Sequence, residues 1–240
     1  MTRPSGARRA AARPARSTPA GPRPGVRALL LLLALLSFPA GLPAQSVTVR
    51  EGNLFYRASA GAPPRQLTSS GLDDHPRLSP DGRTIAFVRG TPRDTVETAL
   101  GWEEATSLWI VRTDGGGARM LVRGRSAGSP ERTLASLDEP WFSPDGRRIY
   151  FLSTAWVTSA AVHVVELPSG TERFLIPGNS LEVVPAGRYA GHLLVAQHRY
   201  FLAGGSYDWV WLFTPDGREV GPVAESEEQL REFRSTYVEP

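Results

Sequence analysis

The feature that most constrains this chain is a pentapeptide that occurs twice. Ser-Pro-Asp-Gly-Arg stands at 79–83 and again at 143–147, a spacing of 64 residues. Each copy is set between residues suited to strands. Arg77-Leu78 precedes the first and Thr84-Ile85-Ala86-Phe87-Val88 follows it; Trp141-Phe142 precedes the second and Arg148-Ile149-Tyr150-Phe151-Leu152 follows it. Proline presets φ for the first central position of a type I turn, Asp suits the next, and Gly takes the positive φ that closes a hairpin with a bulge. β-Branched and aromatic flanks complete the strand–turn–strand reading. A supersecondary unit recurring at such a period is the signature of a repeat architecture.

Four further hairpins are expected outside the motif, at 47–68, 108–122, 162–176 and 209–223. Their turns are Gly- or Pro-rich, including Asp114-Gly115-Gly116-Gly117, Pro168-Ser169-Gly170 and Thr214-Pro215-Asp216-Gly217. A third, degraded copy of the inner hairpin is expected at 183–196, where Pro185-Ala186-Gly187-Arg188 keeps the turn but loses Ser and Asp. The expected order is one half-unit followed by three four-stranded units. Residues 225–233 read as a helix, and Ser235 to Val238 as a short strand that would complete the first sheet.

The motif Trp141, Ser143, Pro144, Asp145, Gly146, Ile149, Phe151 resembles the repeat of TolB-like β-propellers, over roughly residues 46 to 223. The first copy departs from it, with Leu78 in place of the aromatic residue. The resemblance implies an all-β fold, a β-propeller-like array of about four blades, partial or open. It implies little about activity, because one fold carries many functions. TolB itself works in envelope protein complexes, but the domain that precedes the propeller in TolB has no counterpart in this sequence, so that role is not carried over. A protein or peptide partner is expected instead from the reading as a binding module. Propellers of this sequence type also stand beside the catalytic domain of prolyl-oligopeptidase-like serine peptidases, a domain with no counterpart in these 240 residues.

Residues 1–44 are expected to be a secretory signal peptide with a long n-region. Seven Arg and no acid precede an apolar run from Ala28 to Phe38, and Pro39, Gly41, Pro43 and Ala44 form a small-residue exit. The run is too short to span a bilayer. The domain would then be 45–240, in the periplasm or outside the cell. Export would also change the charge. The whole chain is +3, but every basic residue is Arg and seven lie before Gln45, which leaves 20 Arg against 24 acids. A mildly acidic domain has no nucleic-acid footprint. With no Cys, disulfides and thiolate chemistry are excluded.

No catalytic motif is legible. Gly204-Gly205-Ser206-Tyr207-Asp208 lacks the last Gly of a nucleophile elbow. His75, His163, His192 and His198 do not share metal-ligand spacing within one element, and no cofactor is expected. His163 and the alternating Trp209, Trp211 and Phe213 read as packed strand residues.

Propeller topology places the tidy A–B and C–D turns of each unit on one face, and the D–A and B–C connections on the other. The second face is expected to carry irregular segments at 72–75, 91–106, 125–139 and 154–160, rich in acids. Long connections on a rigid scaffold are where binding resides. The binding-face candidates are Asp74, His75, Trp102, Glu103 and Glu139. Asp74-His75-Pro76 and Asp138-Glu139-Pro140 hold equivalent places before the inner strands. Trp102 is expected either to form a contact surface or to fold back over the blade edge. The leading expectation is a non-catalytic binding module of the envelope. The alternative is an envelope hydrolase or lyase on peptide or glycan, using loop carboxylates and His75.

Overall fold

The computed structural model describes residues 45–167 and 169–238; the expected signal peptide and Pro168 lie outside them. Among the described residues fifteen strands form four antiparallel sheets, accompanied by a short 3-10 turn at Pro130–Arg132 and one α-helix. The first contains β1 (Ser46–Arg50), β2 (Asn53–Arg57) and β3 (Arg65–Gln66). The second contains β4 (Asp73–Leu78), β5 (Thr84–Thr98), β6 (Gly101–Arg112) and β7 (Arg119–Arg123). The third contains β8 (Asp138–Phe142), β9 (Arg148–Ser153), β10 (Ala161–Glu166) and β11 (Glu172–Pro177). The fourth contains β12 (Glu182–Val183), β13 (Leu193–Tyr200), β14 (Ser206–Phe213) and β15 (Glu219–Ala224). Helix α1 (Glu227–Tyr237) follows. Each four-stranded sheet is a simple up-and-down meander, as in a propeller blade.

The repeated turn has the expected geometry. The Gly82 N–H donates to the Ser79 carbonyl at 2.9 Å, and Gly82 has φ +67°; Gly146 repeats both, at 2.9 Å and +68°. The Ser and the Asp add a second layer of hydrogen bonds. Ser79 Oγ donates to Asp81 Oδ1 (2.6 Å) and accepts the Thr84 N–H (2.9 Å), while Asp81 Oδ1 accepts the Arg83 N–H (3.1 Å). Ser143, Asp145, Arg147 and Arg148 repeat the arrangement. A Cβ on Gly146 would meet nothing within 4 Å, so Gly146→Val isolates the backbone cost of a β-branched residue at positive φ. It is expected to destabilise by about 1–3 kcal/mol, read from denaturant melts. Gly146→Ala should cost less.

The same hydrogen bonds set a pH dependence. The hydroxyl of Ser143, then the Arg147 N–H, hold the Asp145 carboxyl below its ordinary range, and Ser79 with Arg83 does the same for Asp81. A depressed folded value contributes stability above the unfolded pKa, about 3.9, which is lost as pH falls through the folded value. The stability gap between wild type and Asp81→Asn/Asp145→Asn should therefore be full at pH 7 and shrink below about pH 4. Urea melts across that range would show it; a gap unchanged with pH would refute the role given to the two carboxylates.

The inner B strands read as continuous apolar runs because both of their faces are covered. In β5, Ile85 and Phe87 enter the core shared with Leu54 and Tyr56 of the first sheet, whereas Ala86 and Val88 enter the core shared with the third. In β9, Ile149 and Phe151 turn back to that second core, and Tyr150 and Leu152 face forward. In β13, Leu193 and Val195 face back, and Leu194 faces α1. One period-2 pattern thus builds successive inter-sheet cores.

Three expectations on chain path are corrected. Residues 91–106 do not form an irregular loop: β5 and β6 continue as paired strands to Thr98↔Gly101, with a register shift between Gly90 and Thr95. The ladder can extend because Val96 and Ala105 bury against Ala135, giving the arm a core of its own. The segment 72–75 is not wholly irregular either, since β4 already starts at Asp73, whose buried carboxylate pairs with Arg89 at 2.5 Å. Finally, Ser235 to Tyr237 continue α1 and Val238 is its C-cap; no strand forms there. Ser226 caps the helix by accepting the Gln229 N–H, and Glu227 and Glu228 favour its first turn. Leu230, Val238 and Phe233 then cover the outward face of the fourth sheet. Among the described residues no C-terminal strand joins the first sheet.

Candidate functional site

The A strands of the second and third sheets carry the same bulge. His75 and Glu139 both have positive φ, +50° and +47°, and each precedes a proline. The ladder skips from Asp74 to Arg77 and from Asp138 to Trp141. In each case the preceding Asp steadies the kink, with Oδ1 accepting the next N–H: His75 at 2.8 Å, Glu139 at 2.6 Å. Positive φ in such residues costs of order 1–3 kcal/mol, a strain typical of functional segments.

The bulges send the two side chains to different places. His75 Nδ1 meets Asp138 Oδ1 at 2.5 Å, and Asp74 lies beside it, with Oδ2 3.7 Å from Nε2. These three residues line a cavity of about 470 Å³ with Asp73, Glu104 and Ser136. Glu139 instead points into a neighbouring cavity of about 360 Å³, between the inner strands and α1. There its Oε2 accepts the Leu181 N–H at 3.0 Å. Burial raises the Glu139 carboxyl above its ordinary value, Asp138 adds to this, and the Leu181 N–H, Arg77 and His75 oppose it. Arg77 lies 3.6 Å over the Trp141 ring, and burial lowers its guanidinium pKa.

Trp102 and Glu103 sit on the β5–β6 arm. Trp102 is 70% exposed and does not fold back over the blade edge. Glu103 Oε2 accepts from Ser136 Oγ at 3.1 Å, so the arm touches the rim of the larger cavity. The structure therefore joins Asp74 and His75 directly, reaches Glu103 through Ser136, and separates Glu139 from them. Glu104 and Asp138, which are not among the binding-face candidates, prove to be cavity residues. Among the described residues no group of three or more His, Asp and Glu is arranged to hold a metal ion. No described helix is long and apolar enough to cross a membrane.

His163 is a packed strand residue, as its sequence position suggested. Fully buried, it stacks on Phe151 at 5.5 Å, and its Nδ1 meets Glu172 Oε1 at 2.7 Å. Burial alone would raise Glu172, but His163 and Arg125 outweigh it and hold the carboxyl below its ordinary range.

No protein-family model and no curated protein sequence matches the chain. Solved structures do resemble it. The dipeptidyl peptidase 4 of Porphyromonas gingivalis aligns with TM-score 0.50 and 12% identity, over 76% of this chain and 31% of that one. An oligogalacturonate lyase from Vibrio parahaemolyticus gives TM-score 0.47 and 11% identity, over 73% and 43%. A putative TolB from Agrobacterium tumefaciens gives 0.35 and 17%, over 74% and 76%. The chain spans about a third of the length of the peptidase. The protein is an all-β, propeller-like array; that rests on its own sheet topology together with the first of these likenesses. Identities this low carry the fold and no activity.

Proposed function

We propose that the chain is a non-catalytic binding module of the cell envelope, which holds a protein or peptide partner on the face of the D–A and B–C connections. The observation that carries this reading is Trp102, largely exposed on an arm with its own buried core. An exposed aromatic on a rigid support loses little entropy on binding. The turns of the opposite face are short and built on hairpin hydrogen bonds, and those of the third and fourth sheets line a cavity of about 460 Å³. A photo-reactive residue at 102 should cross-link an envelope partner, and one at 114 should not. Labelling from 114 alone would sink the reading.

A second reading is favoured by one specific observation: Asp74, Glu104, Asp138 and His75 line a single cavity. Such a set offers acid–base groups for hydrolysis or elimination on a peptide or glycan. Turnover of peptide or oligosaccharide substrates that Asp138→Asn abolishes would establish it in place of the first.

A further inference from the structure

Each B–C connection ends in an uncharged, apolar tip. The three tips are Thr-Ala-Leu-Gly-Trp at 98–102, Thr-Ala-Trp-Val-Thr-Ser-Ala at 154–160 and Phe-Leu-Ala-Gly-Gly-Ser at 201–206. The alternation of antiparallel strands puts all three on the face that also bears His75 and Asp138. Of the ten large apolar side chains exposed in the described residues, six stand on or beside these tips. Leu100 and Trp102 project from the first and Val157, 71% exposed, from the second. Tyr200, Phe201 and a fully exposed Leu202 project from the third.

Two of the tips are held in place from below. The first rests on Val96, Ala105 and Ala135, and Ser126 bridges it through Glu97. The third continues an aromatic ladder: Phe201 lies 4.5 Å from Tyr207, which lies 4.7 Å from Trp209, which lies 6.5 Å from Trp211 in the core. Solvent-exposed apolar groups recurring on supported tips mark an interaction surface.

The charge of the face selects the occupant. The cavity that opens on this face at the base of the first arm is lined by Asp73, Asp74, Glu104 and Asp138; His75 is its one ionisable base, and Arg89 neutralises only Asp73. Glu97 and Glu103 flank the first tip. An anionic lipid surface or a nucleic acid would bring phosphates against these carboxylates, whereas a cationic segment would be drawn to them. We infer that the partner presents an Arg- or Lys-bearing protein segment with apolar neighbours: the apolar residues sit on the three tips and the cationic side chain enters the acidic cavity. This rests on the proposed docking face and names the chemistry of what docks there.

The test is calorimetric titration of the full chain with matched synthetic peptides of alternating Arg and Leu/Trp, with Glu in place of Arg, or with Gly/Ser in place of the apolar residues. Vesicles of phosphatidylcholine with and without phosphatidylglycerol complete the set. The Arg–apolar peptide should bind at least about tenfold more tightly than either analogue and weaken as salt rises. Leu202→Ser and Asp74→Asn/Asp138→Asn should each weaken it about tenfold, and Asp114→Ala should not. Equal binding of the Glu or Gly/Ser peptide, or binding to vesicles alone, would overturn the inference. A partner cross-linked from position 102 through a neutral or acidic segment would end it and leave the docking face standing. Labelling confined to position 114 would end both.

Discussion

Trp102→Ala is expected to weaken partner binding by about 2 kcal/mol or more, some thirtyfold, with little change in folding stability. The two halves of that expectation have separate causes. Most of the indole is already in water, so its removal takes little from the folded state. The arm beneath it is fixed by the pairing from Thr95↔Glu104 to Thr98↔Gly101 and by the small Val96–Ala105–Ala135 core, which the substitution leaves alone. A partner that closes over Trp102 would gain its full desolvation. Charge reversal should act mainly on association rate and its salt dependence. The structure makes Glu103 the cleanest position for that experiment, since among the described residues its carboxylate accepts only from the Ser136 hydroxyl, whereas Asp74 also steadies the bulge through the His75 N–H. Glu139 is a poorer one, because its carboxylate also receives the Leu181 N–H inside a cavity, so a Lys there would leave that donor unpaired. Asp114→Ala and Asp216→Ala, on the opposite face, are the controls. If they abolish binding in a titration and Trp102→Ala does not, the docking face has been placed on the wrong side.

Phe151→Ala should be among the most damaging single changes to stability, at about 3–5 kcal/mol. Phe151 is fully buried in the core between the second and third sheets, beside Ile149, Val88 and Leu108. Its ring also covers His163, whose Nε2 has no hydrogen-bond partner in its buried site. Truncation would remove the transfer energy of the ring, leave a cavity between two stacked sheets, and loosen the packing around a buried polar group. Phe87→Ala, 64 residues earlier, tests the repeat, since Phe87 fills the equivalent place against Leu54 and Tyr56 of the first sheet. Denaturant melts should show losses of similar size for both. A loss under about 1 kcal/mol at either position would mean that the inter-sheet cores are not what holds the array together.

Much of the fold was legible because its signals are local. Ser-Pro-Asp-Gly-Arg specifies its turn within five residues, through one preset φ, one positive φ and a Ser–Asp hydrogen bond. The expected order of one partial sheet and three four-stranded sheets therefore holds. The partial sheet has three strands and not the two of a hairpin, because β1 pairs with β2 across Glu51-Gly52. The placement of Thr214-Pro215-Asp216-Gly217 between the last two strands also holds, since β14 pairs with β15 across it.

The binding candidates were legible as positions and not as an arrangement. Spacing alone made His75 and Glu139 equivalent, and in the structure both lie at the same kind of bulge, inside β4 and β8. Which cavity each side chain enters depends on the sheet next door, which offers Asp138 to one and the Leu181 N–H to the other. The exposed tips at 154–160 and 201–206 could have been found from their lack of charge beside apolar residues, but a short apolar stretch reads equally well as core until its surroundings are known.

By itself, then, the sequence determined the hairpins and their order, because each follows from contacts within a few residues. Tertiary structure alone decided three things. The segment 91–106 is a paired arm, because a distant alanine, Ala135, buries its base. Residues 235–237 are helical, because the outer face of the fourth sheet offers an apolar surface for Leu230 and Phe233 to cover. Glu104, Asp138 and His75 share one cavity, because neighbouring sheets pack with their inner strands side by side. Each of these depends on burial against residues remote in sequence, and the free energy of that burial outweighs local preference.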